Sequence, residues 1–124
     1  MNHHKFSQQL ISAGLILFFL VGCSASATRG KIEGTVTLDG DVSKPIANVK
    51  VILDSDPFSP DGLKEIATTT TDAQGKYSFE DVKPGKYVVG ASVQGQCMVL
   101  DIASTVAVEV GSVVKKDLSL PCTP

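Results

Sequence analysis

The sequence contains no tryptophan, and its two histidines, His3 and His4, both stand at the extreme amino terminus. The rest of the chain therefore lacks the usual general base of serine and cysteine hydrolases, and it lacks a principal ligand of transition metals. It also has no Cys-x-x-Cys pair, the common arrangement of a dithiol redox site. These absences disfavour most enzyme classes. We expect a non-catalytic protein without a metal or cofactor.

A concentration of positive charge is missing as well. Eleven lysines and arginines are scattered among thirteen acidic residues, for a net charge of -2. Binding to nucleic acid calls for a clustered basic face, so we expect no nucleic-acid partner. The length of 124 residues leaves room for one domain.

The sequence has one long apolar run, from Leu10 to Val21, preceded by Lys5 and followed by small residues. Its length of about a dozen residues falls short of the roughly 20 that a membrane-spanning helix needs. A short apolar run with one upstream cation is typical of a secretory signal.

The run ends in Leu20-Val21-Gly22-Cys23, which resembles the lipobox of bacterial lipoproteins. The resemblance implies a signal peptide over residues 1–22, a diacylglyceryl group on Cys23 and a membrane as partner. Residue Ser24 is not aspartate, which by the family's sorting pattern implies the outer membrane in a Gram-negative cell. Ordinary cleavage after Ala25-Ser26-Ala27 is the alternative, and it would release a soluble protein.

Residues 23–30 are predicted to be the lipidated cysteine and a flexible tether, because "SASATRG" is small and polar. Such a segment reaches about 25 Å at most. If Cys23 carries lipid, Cys97 and Cys122 remain as the even pair expected of a disulfide in an exported protein. A bridge between them would stabilise the fold by roughly 3 kcal/mol. Two unpaired thiols are the alternative.

From Lys31 onward, apolar residues alternate with polar ones in six segments, as they do in half-buried strands. The inward positions are Ile32, Val36, Leu38, Val49, Val51, Leu53, Tyr77, Phe79, Tyr87, Val89, Ala91, Val93, Val106, Val108, Val110, Val114, Leu118 and Leu120. Lys116 falls on the inward phase of the last segment, which we interpret as a bulge or a snorkelling side chain. The pattern predicts an all-β sandwich of about seven to eight short strands over residues 31–124.

Two turns separate predicted strands. Asp72 is placed to accept backbone hydrogen bonds, with Gly75 supplying the positive φ that closes a hairpin. Pro84 and Gly85 have the residue types of a type II turn.

Residues 32–95 carry a G-x-V opening strand, then T-D-x-x-G-x-Y-x-F and P-G-x-Y. This frame is similar to carboxypeptidase regulatory-like domains, within a wider group of prealbumin-like sandwiches that includes B-type adhesin repeats. The resemblance implies a Greek-key, prealbumin-like β-sandwich. Members are mostly non-catalytic modules attached to envelope proteins, transporters and peptidases, so the resemblance defines fold better than function.

One loop, residues 54–64, stands out from the strand pattern. Asp54, Asp56 and Asp61 could supply oxygen ligands to calcium, but their spacing does not match an EF-hand, and two prolines with a glycine indicate a rigid connection. Phe58 is either an anchor for a partner or a local plug folded back over the sandwich. We therefore predict a ligand loop of Asp54, Asp56, Phe58 and Asp61, and no metal site.

Two functional hypotheses follow. The first is an exported, lipid-anchored protein of the cell envelope whose β-sandwich is a non-catalytic interaction or structural module, with an envelope protein or a glycan as partner. The second is an accessory lipoprotein that binds carbohydrate or peptide through loop 54–64.

Overall fold

The computed structural model describes residues 28–124, so the predicted signal peptide, the lipobox and Cys23 lie outside the described residues. Within this range the chain forms ten strands in two five-stranded sheets. They are β1 (Gly30–Leu38), β2 (Asp41–Pro45), β3 (Lys50–Ser55), β4 (Glu65–Thr70), β5 (Lys76–Val82), β6 (Gly85–Val93), β7 (Cys97–Leu100), β8 (Val106–Val108), β9 (Val113–Lys115) and β10 (Leu118–Leu120). None of residues 28–124 belongs to a helix able to cross a membrane.

Strand β1 is the centre of the first sheet. One edge of β1 pairs antiparallel with β5 and then with β2. The other edge pairs parallel with β9 and then with β10. The second sheet has the order β4-β3-β6-β7, with β8 beside the first residues of β6. The predicted all-β sandwich is confirmed, with a few more strands than the seven or eight expected.

The core lies between the two sheets and contains most of the positions predicted to point inward. Ile32, Val36, Val51 and Leu53 are among the most deeply buried. Leu38 and Val114 are half-buried and pack against this core. Val110 was predicted inward and is instead 57% exposed. The reason is that β8 ends at Val108 and the chain then turns at Gly111, whose φ is 71°.

The predicted last strand is two strands, because the link between β9 and β10 bulges away from the edge of β1 and lies against Gly34. The N–H group of Lys116 donates to the carbonyl of Glu33 (2.8 Å), and the N–H group of Thr35 donates to Oδ1 of Asp117 (2.9 Å). A Cβ atom on Gly34 would overlap the carbonyl oxygen of Lys116. The out-of-phase Lys116 therefore marks the link between β9 and β10.

The Asp72 turn is confirmed. Its Oδ1 accepts hydrogen bonds from the N–H groups of Gln74 and Lys76, each at 2.9 Å, and Gly75 has a φ of 73°. The type II turn at Pro84 and Gly85 was wrong, since Gly85 has a φ of 157° where that turn needs about +80°. Gly85 already pairs with Val108 as the first residue of β6, which keeps its backbone extended.

Candidate functional site

Several connections meet at the end of the sandwich where the described chain begins, and we call this the entry end. It comprises residues 28–30, the loop 56–63, the 83–84 connection and the turn 109–112. Gly30 pairs with Val82 at the close of β5. The N–H group of Gly111 donates to the carbonyl of Arg29 (3.0 Å), which fixes the start of the described chain beside the 109–112 turn.

The loop 56–63 joins this end through β3 and β6. Ser55, the last residue of β3, pairs with Tyr87 near the start of β6. Tyr87 in turn shares a groove with Arg29, whose positive charge acts on the tyrosine hydroxyl. Adjacent strands lie about 4.8 Å apart and packed sheets about 10 Å apart. The loop and the entry of the chain are therefore neighbours.

Short-range hydrogen bonds fix the conformation of the loop. At its base, Ser55 and Lys64 exchange hydrogen bonds of 2.8 Å, through the N–H and hydroxyl groups of Ser55. Asp56 Oδ1 accepts the N–H of Phe58 (3.0 Å), and the carbonyl of Asp56 accepts the hydroxyl of Ser59 (2.8 Å). A second turn closes from the N–H of Gly62 to the carbonyl of Ser59 (3.0 Å). These hydrogen bonds agree with the fixed connection that the prolines indicated.

The side chain of Phe58 is 77% exposed on this fixed loop. The plug hypothesis, in which the ring folds back over the core, is therefore wrong. An exposed aromatic ring on a rigid loop loses little conformational entropy when it binds, so it suits a contact with a partner.

The four predicted loop residues lie in different environments. Asp54 belongs to β3 and is buried, whereas Asp56 is half-buried and Asp61 is exposed. Burial raises the pKa of the Asp54 carboxyl, and the nearby charge of Glu65 raises it further. In residues 28–124, no group of three or more acidic, cysteine or histidine side chains is arranged to hold a metal ion.

A groove of about 600 Å³ opens between the edge strands β4 and β5. Leu53 and Phe79 contribute buried apolar walls, and the half-exposed Ile66 stands at its rim. The sequence pattern did not reveal this groove, because β4 was not among the six predicted strands. The inward positions of β4 are Ala67 and Thr69, which are small or polar, so the alternation that signals a half-buried strand is weak. Its run of β-branched residues was the available signal.

Two of the charged residues along the groove, Glu80 and Arg29, have partners. Lys31 Nζ lies 3.2 Å from Glu80 and 3.3 Å from Glu33, and these hydrogen bonds, Glu80 first, raise the pKa of the lysine. Arg29 donates to the carbonyl of Asp81 (3.4 Å), at a bulge where Asp81 has a φ of 53°. Bulges and charges of this kind protect an edge strand from pairing with other chains.

The two remaining cysteines are joined across the sandwich. Cys97 begins β7 in the second sheet, and Cys122 follows β10 in the first. Their sulfur atoms are at bonding distance and their Cα atoms are 6.3 Å apart. The disulfide expected from the cysteine count therefore has the required geometry.

The fold and these surfaces define a disulfide-linked β-sandwich module with a rigid aromatic loop at one end. The family model for the carboxypeptidase regulatory-like domain matches residues 31–121. The chain belongs to this family, as the motifs in the sequence implied. No curated protein matches the chain in sequence.

Solved structures share the fold at low sequence identity. The Bacillus anthracis TIE protein is 20% identical, with a TM-score of 0.52 over 74% of this chain and 17% of that protein. This chain thus spans less than a fifth of its length. A dioxygenase domain from a dioxygenase and carbohydrate-binding protein fusion of Streptomyces sp. SirexAA-E is 16% identical, with a TM-score of 0.51 over 78% of this chain and 82% of that one. Sequence identities this low support a shared fold, but they do not support a shared function.

Proposed function

We propose that this protein is an exported, lipid-anchored module of the cell envelope that binds its partner without catalysing a reaction. The proposal rests mainly on the order of two segments along the chain. The carboxypeptidase regulatory-like domain occupies residues 31–121, and the lipobox-like Leu20–Cys23 precedes it by a short polar segment. A domain of a non-catalytic type is thus placed directly after a candidate lipid attachment site.

Two side chains with raised pKa values, Tyr77 and Tyr87, have structural roles, and this supports a non-catalytic function. Burial raises the pKa of Tyr77, and the charge of Asp117 adds to the shift, while the Tyr77 hydroxyl donates to the Lys116 carbonyl in the link between β9 and β10. Burial also raises the pKa of Tyr87, against the opposing effect of Arg29, and its hydroxyl donates to the Lys83 carbonyl (2.5 Å).

The anchor is tested by replacing its attachment atom. In the full-length chain expressed in a bacterial host, Cys23→Ala removes the thiol that would take the lipid. We expect the unmodified chain and the matched control Ser24→Ala to incorporate labelled fatty acid, whereas Cys23→Ala should incorporate none. An unmodified chain that takes up no label, or a Cys23→Ala chain labelled like the control, would contradict the proposal. A turnover activity that survives purification would contradict its non-catalytic part.

Binding of a carbohydrate or peptide by loop 54–64 is a second candidate, and the exposure of Phe58 favours it. Its test is binding of envelope glycans and peptides by the folded protein. On this hypothesis Phe58→Ala abolishes binding, while Val42→Ala, at a position 89% exposed on β2, leaves it intact. Equal binding by both variants would exclude the loop as the binding surface.

A further inference from the structure

The path of the chain determines which end of the sandwich lies nearest the anchor. Arg29 is held by its hydrogen bond to Gly111, and six residue steps separate it from Cys23. These six residue steps reach about 20 Å at most. The nine residues of β1 carry the chain about 30 Å away from that point. The entry end is therefore the end that the anchor holds close to the lipid.

Exposed apolar side chains are present at this same end. Phe58 is 77% exposed on the loop 56–63, and Val110 is 57% exposed on the turn beside Arg29. Leu63, near the base of the loop, is 43% exposed. The loop and the turn leave from β3 and β8, the two strands that flank the start of β6. Their bases are therefore about 10 Å apart, which is close enough for one flat surface to touch both.

Charges of both signs border these apolar residues. Positive charge comes from the exposed Arg29, Lys64 and Lys83, and negative charge comes from the exposed Asp61 and Glu109 and the half-buried Asp56. A purely electrostatic contact with anionic lipid would call for an excess of cations. The border has no such excess, so contact with a membrane would depend on the apolar side chains and on the tether.

We propose that the entry end lies against the membrane and that Phe58 inserts into the lipid interface. This inference rests on the proposed lipid anchor at Cys23 and adds the orientation of the domain and the residue that contacts lipid. The hydrogen bonds of the loop hold the aromatic ring outward, and large apolar side chains favour burial at the boundary between headgroups and acyl chains. The opposite end of the sandwich then faces the envelope space.

The absence of tryptophan makes a direct test possible, because one introduced tryptophan is the only one in the chain. Phe58→Trp places it on the loop. Met98→Trp is the matched control, since Met98 is 66% exposed and pairs with Ser92, about 23 Å along β6 from the entry end. Each lipidated protein is purified from membranes and inserted into phosphatidylcholine vesicles with or without brominated acyl chains.

We expect the emission of Phe58→Trp to shift to shorter wavelength and to fall at least two-fold in brominated vesicles, while that of Met98→Trp stays unchanged. Substituting anionic lipid for part of the phosphatidylcholine should not deepen the quenching. Absence of quenching in a protein that floats with the vesicles would overturn this inference and leave the anchor standing. A protein that carries no lipid and does not float would overturn both. A Phe58→Trp emission that responds to envelope glycan fragments and not to brominated lipid would assign the loop to glycan binding instead.

Discussion

At the scale of single residues, the polar groups of the core are used to hold strands together. Tyr77 shows this most clearly, because its ring packs edge-on against Phe79, with centroids 5.9 Å apart, while its hydroxyl reaches the Lys116 carbonyl. The tyrosine was predicted to be inward from the alternation of "KYSFE". The acceptor of its hydroxyl could not be predicted, because it lies 39 residues away in the sequence.

Tyr77→Phe should reveal the cost of ionising this hydroxyl. At neutral pH the variant loses one hydrogen bond, so its free energy of unfolding should fall by about 0.5–1.5 kcal/mol. The raised pKa of Tyr77 means that the unfolded chain releases this proton first, at about pH 10. Above that pH the native protein loses stability that the variant does not lose. The difference between the two proteins in urea unfolding should therefore shrink between pH 9 and about pH 11, and a constant difference would contradict this assignment.

At the scale of elements, the sequence predicted those strands whose inward faces are apolar and missed those with polar or short inward faces. β1, β3, β5 and β6 alternate clearly and were found. β2 is exposed at every position, β4 has small inward residues, and β7 has only four residues. None of these strands therefore shows a clear alternation of apolar and polar residues. The break between β9 and β10 is visible in the sequence only as the misplaced Lys116.

The close contact of the β9 to β10 link with β1 depends on the absence of a side chain at Gly34. Gly34→Ala should destabilise the protein by about 3 kcal/mol or more, because the methyl group meets the backbone at Lys116, which cannot move like a flexible side chain. Gly95→Ala is the matched control. A methyl group there meets open space, although its φ of 77° still adds strain, so we expect a cost of about 1 kcal/mol. Thermal unfolding measures both variants, and similar midpoints would contradict this contact.

The disulfide links an element of each sheet, so its loss should loosen the carboxy-terminal strand in particular. We expect the double variant Cys97→Ala, Cys122→Ala to lose about 3 kcal/mol in urea unfolding. Hydrogen exchange should rise most at β10, because its parallel pairing with β1 then lacks the nearby link to β7. Treatment of the unmodified protein with a reducing agent is the control and should give the same loss. Unchanged stability in both experiments would contradict a bond between these cysteines.

At the scale of the whole molecule, the topology brings the start of the domain, the aromatic loop 56–63 and the turn 109–112 to one end. The loop and the predicted tether could each be recognised in the sequence. Their proximity could not be predicted, because it depends on pairings between residues far apart in the sequence, such as Ser55 with Tyr87. The family match defines the sandwich, and the account of function depends on what is attached to Cys23. A lipid there would orient the domain, whereas its absence would leave a diffusible binding protein.

The most direct test of the account is the intact mass of the mature protein isolated from its native cells, measured before and after reduction. We predict a membrane-bound species that begins at a lipidated Cys23 and gains the mass of two hydrogens on reduction, one for each of Cys97 and Cys122. A soluble species that begins at Thr28 with no lipid would contradict the anchor, and with it the orientation proposed for Phe58.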